Sequence, residues 1–190
     1  MTTPRAPVAC AQLSHDTMHI DQLLTSLWTA ASHIFDRALL FPAASSQYKF
    51  LLAKVLEAQL VNRQIWKVSV ELEPSVLTIS HLAENANSIG VVLQLMQQYS
   101  MARKWFQLAC DESFVGSIAC AYAELNIATI DRLDENLSGS ATPEHVESET
   151  PTEEAGASDG LSSADALLVL TTDDVLARAR GVLRCLQGAG

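Results

Sequence analysis

The stretch "RALLFPAASSQYKFLLAKVL", Arg37 to Leu56, is an aliphatic run, a proline with small residues, and a second aliphatic run. Upstream, Ile20, Leu23, Leu24, Leu27, Ala31, Ile34, Phe35 and Ala38 keep helical spacing. Pro42 disfavours continued helix, and Ser45 or Ser46 can cap the next one. Tyr48, Leu51, Leu52, Val55, Leu56 and Leu60 then predict a second helix to about Trp66. Two helices joined by so few residues pack antiparallel and bury their facing stripes. The fold class that follows is all-α, an irregular helical domain with an opening hairpin.

The hairpin carries few charges, and so does the chain. Of its 190 residues 48% are hydrophobic and 18% charged, less charge than a globular domain ordinarily shows. A surface buried against a partner is expected from that balance. The formal charge of −10 argues against direct contact with duplex nucleic acid, because phosphate neutralisation needs clustered Lys and Arg. The twelve basic residues are dispersed. No opening segment reads as a signal peptide and no apolar run is long enough to span a membrane. Cys10, Cys110, Cys120 and Cys185 form no C-x-x-C pair and suit a reducing interior; the last three read as buried small apolar residues. An intracellular protein is expected.

Residues 1–16, with Pro4 and Pro7, read as a flexible N-terminus, and residues 17–133 as one helical domain. "KVSVELEPSVL" alternates at Val68, Val70 and Leu72 and reads as an extended connection. From Leu82, helical spacing runs through Ala86, Ile89, Val92, Leu93, Met96, Tyr99, Ala102 and Phe106 to Cys110. Part of it fits a tetratricopeptide frame, with Ile89 and Gly90 at the Leu-Gly positions and Ala102, Phe106 and Ala109 as small-large-small. That frame needs a turn near Met96–Gln98, where "LMQQYSM" holds no Gly, Pro, Asn or Asp. One continuous helix is therefore expected. An alanine-rich helix, Ile118 to about Leu133, follows.

Residues 134–164 read as an acidic, disordered linker. Within "DENLSGSATPEHVESETPTEEAGASD" there are eight acids, no Lys or Arg and no aromatic. Residues 165–187 predict a C-terminal helix, in which Val175, Leu176, Ala179, Val182, Leu183 and Leu186 share a face. Such a face must dock, on the main body or on another chain.

Sites of chemistry are sparse. "HDTMH" sets His15 and His19 at i, i+4, but Asp16 stands where a zinc protease has glutamate, and His33 and His81 lie in separate segments. A helix start capped by Asp16 or Thr17 is expected there, with no metal and no cofactor. Ser117 in "VGSIAC" lacks the flanking glycines of a nucleophile elbow, and no phosphate-binding glycine loop occurs. No catalytic residue is assigned, and the sequence points away from an enzyme. Trp28, Trp66 and Trp105 could line an aromatic pocket, although helix packing is the commoner use.

The order of landmarks resembles the C-terminal regulatory domain of the fungal regulators of aflatoxin and sterigmatocystin synthesis and their relatives in secondary-metabolite gene clusters. Asp21, Gln22, Leu23 and Leu24 open the first helix; Leu40, Pro42, Ser45 and Ser46 match its turn; Lys54, Val55 and Leu56 match the next helix. "GVVLQLMQQYSMARKWFQLA" and "DVLARARGVLRCLQ" look similar to later helices of that family. The resemblance covers about Ile20 to Ala109 and, loosely, the C-terminus. It implies a nuclear, non-enzymatic transcription regulator acting through protein contacts, with another regulator or a second copy as partner. The family also carries an N-terminal zinc cluster of six cysteines that reads DNA. Here only Cys10 precedes the first helix, so no zinc ligand or DNA-contacting residue carries over. A truncated or split regulator, or a paralogue that does not touch DNA, is expected. The alternative is a helical tetratricopeptide-like adaptor or chaperone holding an apolar peptide, for which Tyr99, Trp105 and Phe106 would line an open groove. A small-molecule binder using the tryptophans would require a cavity.

Overall fold

The computed structural model describes residues 17–72, 75–114, 116–139 and 161–188. The expectations for residues 1–16, including His15 and Asp16, and for most of the acidic linker lie outside these. The architecture is all-α, as expected. Among the described residues six helices follow in order: α1 (Thr17–Ala38), α2 (Ser46–Leu72), α3 (Val76–Leu95), α4 (Tyr99–Asp111), α5 (Ile118–Gly139) and α6 (Ser163–Gly188). Helix α5 runs past the boundary expected at residue 133, and α6 begins just before residue 165.

The hairpin forms as its sequence dictates. Leu24, Leu27, Ala31, Ile34 and Ala38 of α1 are buried against Tyr48, Leu51, Leu52, Val55 and Ala58 of α2. Each leucine so buried is worth about 1.5–3 kcal/mol over an exposed one. Ser45 caps α2: its Oγ accepts from the Tyr48 amide at 3.2 Å and donates to the Pro42 carbonyl at 2.8 Å.

Helix α6 returns to this hairpin, laying Val169, Leu176, Ala179 and Leu183 into the same core. Its apolar face is therefore docked on the main body. Asp165, 2% exposed, meets Arg37 of α1 through both carboxylate oxygens, and the Ser162 hydroxyl donates to it at 2.6 Å. Lys54 of α2 donates to Asp173 at 2.8 Å, and Arg180 pairs with Glu57. This answers why the hairpin has so little charge. It is covered by α6 on one flank and by α3 on another, and its few charges are spent on α6.

Two sequence expectations are corrected. The "KVSVEL" segment is not an extended connection, since α2 continues to Leu72. Val61, Ile65 and Val68 extend the helical stripe of α2 onto the core, and that burial outweighs a five-residue alternation. Nor is residues 82–110 one helix. The chain turns at Met96–Gln98, with Gln97 at φ 61° and the Gln98 amide donating to the Leu93 carbonyl at 2.9 Å. Helix α3 starts on a capping box in which the amides of Ser75 and Thr78 each donate to the other's hydroxyl.

Helices α3, α4 and α5 enclose a second core of Ala86, Ile89, Leu93, Ala102, Phe106, Ala109, Ala123 and Ile130. Ser117 caps α5 through the Cys120 amide at 3.1 Å, and Arg103 bridges to Asp131 at 2.6 Å. Between the two cores lies a polar seam of Gln59, Asn62, Arg63 and Asn85, all buried. Arg63 fastens the seam to α3 and to the end of α4. It donates to the Leu82 carbonyl at 3.0 Å and to Glu112 at 2.5 Å, beneath the ring of Trp105 at 5.0 Å.

Candidate functional site: a cleft between α1 and α3

Where α1 and α3 diverge over α2, a cleft of about 430 Å³ opens. Each helix lines it with residues of one face: Asp21, Leu24, Thr25 and Trp28 of α1, Asn62 and Trp66 of α2, and Leu77, His81, Glu84 and Asn85 of α3. These follow i, i+3, i+4 and i+7 spacings, so helix geometry alone aligns them. A second cleft of about 250 Å³ continues beyond Trp28, lined by Phe35, Asp36, Gln59, Asn87 and Val91 among others. Trp28 lines both and is 46% exposed.

The first cleft is aromatic and acidic. The rings of Trp66 and His81 stack with centroids 4.9 Å apart at 25°. His81 Nδ1 lies 3.3 Å from Glu84 Oε2. Among the described residues, neither cleft has a lysine or arginine in its wall. Asn85 commits its amide nitrogen to Gln59, donating to Oε1 at 2.7 Å and to the carbonyl at 3.2 Å. Its side-chain oxygen, and that of Asn62, are sealed from solvent with no hydrogen-bond donor. A buried acceptor left unmet costs about 1–3 kcal/mol. Two such oxygens in one wall weaken the fold at this place.

Of the three tryptophans, the structure brings Trp28 and Trp66 together here. Trp105 is elsewhere, half-buried against Arg63 and the second core. Asn62 and Asn85 were not singled out from sequence, and His81 was named there only as a histidine lying apart from His15 and His19. Their one legible signal was two asparagines on otherwise apolar helical faces.

A second group of reactive atoms sits at the α4–α5 turn. Cys110, Cys120 and Glu124 bring two sulfurs and a carboxylate oxygen within 4.8 Å of one another. The cysteines are half-buried rather than buried as expected, because the turn places Cys120 beside the end of α4. The Cys110 sulfur lies 3.6 Å from the Cys120 carbonyl. Burial pushes the Cys110 thiol up to about 12, reinforced by Cys120 and by the charges of Glu124 and Asp111. It is protonated at neutral pH and a poor nucleophile.

Helix α5 also carries an apolar face that no described residue covers. Ile118, Tyr122, Leu125 and Leu133 are exposed at 75%, 58%, 62% and 37%, on the face adjoining that of buried Ala119, Ala123 and Ile130. No helix among the described residues is long and apolar enough to cross a membrane. Compared with known proteins, the chain matches no family model, no curated protein and no solved structure.

Proposed function

We propose that this chain is a non-enzymatic regulator of a fungal secondary-metabolite gene cluster, working in the nucleus through contacts with another regulator or with a second copy of itself. The observation that carries the contact mechanism is the α5 face: Ile118, Tyr122 and Leu125 at i, i+4 and i+7, exposed on a helix whose adjoining face already fills the core. A helix whose apolar sector is wider than its contact with the core presents the excess to a partner. The cluster assignment rests on the resemblance, whose landmarks lie at places of structural consequence. Asp21 and Leu24 border the cleft, Pro42 and Ser45 make the hairpin turn, and Lys54 and Val55 bind α6 and the core.

Charge argues that DNA is not read by this chain directly. Arg37, Lys54, Arg63, Arg103 and Arg180 are each paired with a carboxylate. The net charge is −10. The adaptor alternative gains from the turn at Met96–Gln98, which makes α3 and α4 a helical pair. It loses more, because Phe106 is fully buried and Tyr99 and Trp105 pack on the second core instead of lining a groove.

Deleting the gene and measuring transcripts of the biosynthetic genes beside it tests the reading. The expected result is a change of about tenfold or more in those transcripts, reversed by reintroducing the wild-type chain. Unchanged transcripts under conditions where the protein is made would contradict it.

A further inference from the structure

We infer that the cleft between α1 and α3 is a binding site for a small organic cation, an amine or ammonium group carried on an apolar or aromatic body. This inference stands apart from the regulatory reading and depends only on the chemistry of the cleft wall.

Size comes first. About 430 Å³ lies within the range of pockets that hold small molecules, and the cleft opens to solvent beside Trp28. The character of the wall comes next. Trp28 and the Trp66–His81 stack present aromatic faces, which attract a flat apolar body and, through their negative quadrupoles, a cation. The two charged residues of the wall, Asp21 and Glu84, are both exposed acids. An anion would meet repulsion from them and no lysine or arginine to offset it.

The asparagines then narrow the ligand further. The side-chain oxygens of Asn62 and Asn85 are unmet acceptors, so the missing partner is a hydrogen-bond donor. An ammonium group offers up to three donors and the charge that Asp21 and Glu84 favour. A turn of the Asn62 amide about its last torsion would bring its oxygen toward a ligand in the cleft, whereas the Asn85 amide stays held to Gln59. A purely apolar ligand would leave both oxygens unmatched. An amine on an aromatic or aliphatic body answers the aromatic rings, the two acids and the Asn62 oxygen together.

The test uses the full chain and three probes of similar size: 2-phenylethylamine, 2-phenylethanol and 3-phenylpropanoate. Binding is read by calorimetry and by the emission of Trp28 and Trp66. The amine is expected to bind saturably, about tenfold or more tighter than the alcohol, with no binding of the carboxylate up to about 10 mM. Glu84→Gln, at an exposed position, is expected to weaken the amine about fivefold with the fold intact. Asn62→Leu removes an unmet acceptor and is expected to lower affinity about fivefold or more while leaving the melting temperature equal or higher. Equal binding of all three probes would reduce the cleft to an apolar cavity and overturn the inference. So would preference for the carboxylate, absence of amine binding, or amine binding that neither substitution changes.

Discussion

Gly90 of α3 and Phe106 of α4 are packed so closely that a β-carbon on Gly90 would stand 2.5 Å from the phenyl Cε1. The ring is fully buried and has nowhere to retreat. This contact requires α4 to lie flat against α3, and it accounts for a turn at Met96–Gln98 that contains no residue favouring one. Gln97 takes a left-handed backbone because the packing of the helices on either side determines it.

Gly90→Ala is therefore expected to destabilise the protein by about 1–2 kcal/mol, the overpacking exceeding the helix-propensity gain of alanine over glycine. In a Phe106→Leu background the added penalty should shrink, because the smaller side chain leaves room. Urea unfolding of the two single variants and the double variant measures the coupling. Additive effects would show that the two residues do not compete for the same space.

Arg63 braces α2, α3 and the end of α4 from a buried position, its side chain 4% exposed. Arg63→Met strands Glu112 and the Leu82 carbonyl, and should cost about 3–5 kcal/mol. Arg63→Lys should recover less than half of that, since an ammonium cannot bond Leu82 and Glu112 while lying flat under Trp105. Denaturant midpoints at pH 7 report both.

The junction of α1 and α6 should respond to acid. Arg37 holds the Asp165 carboxyl below its ordinary range; burial opposes this and Ser162 adds to it. A depressed carboxyl stabilises the fold above the unfolded value of about 3.9 and loses that contribution as pH falls through the folded value. Asp165→Asn should lower the urea midpoint by a constant amount above about pH 5, and the gap to wild type should close below about pH 4. A gap unchanged down to about pH 2 would remove this pair from the docking of α6.

Cys110 should resist alkylation. With its thiol pushed up to about 12, iodoacetamide at pH 8 should modify it at least about 100-fold more slowly in the folded protein than after unfolding in urea. Peptide-resolved mass spectrometry over time measures both rates. Equal rates would mean that Cys110 does not occupy the half-buried position described.

Much of the architecture was legible where local chemistry decides it. The stripe from Leu24 to Ala38, Pro42 with Ser45, and the apolar face of the last helix all have helical spacing or a cap as their cause. The errors arose where distant contacts decide. Val68 and Val70 alternate like a strand, yet the core beneath Ile65 and Val68 keeps them helical. The break after Leu95 depends on Gly90 meeting Phe106. The cleft was half legible. Trp28 and Trp66 were named, but three helix faces must be assembled before Asn62, Asn85 and His81 share a wall with them. That α6 docks on the hairpin depends on Asp165 reaching Arg37, which no local pattern announces.

The contact mechanism has its most direct test in strains that carry Tyr122→Asp with Leu125→Asp in place of the wild-type chain. Both side chains are exposed, at 58% and 62%, so the pair should leave the melting temperature within a few degrees of wild type. Transcripts of the biosynthetic genes that the proposed regulator would control are then measured beside those of the deletion strain. A folded double variant that reproduces the deletion is the result expected here; wild-type transcripts from it would contradict the account.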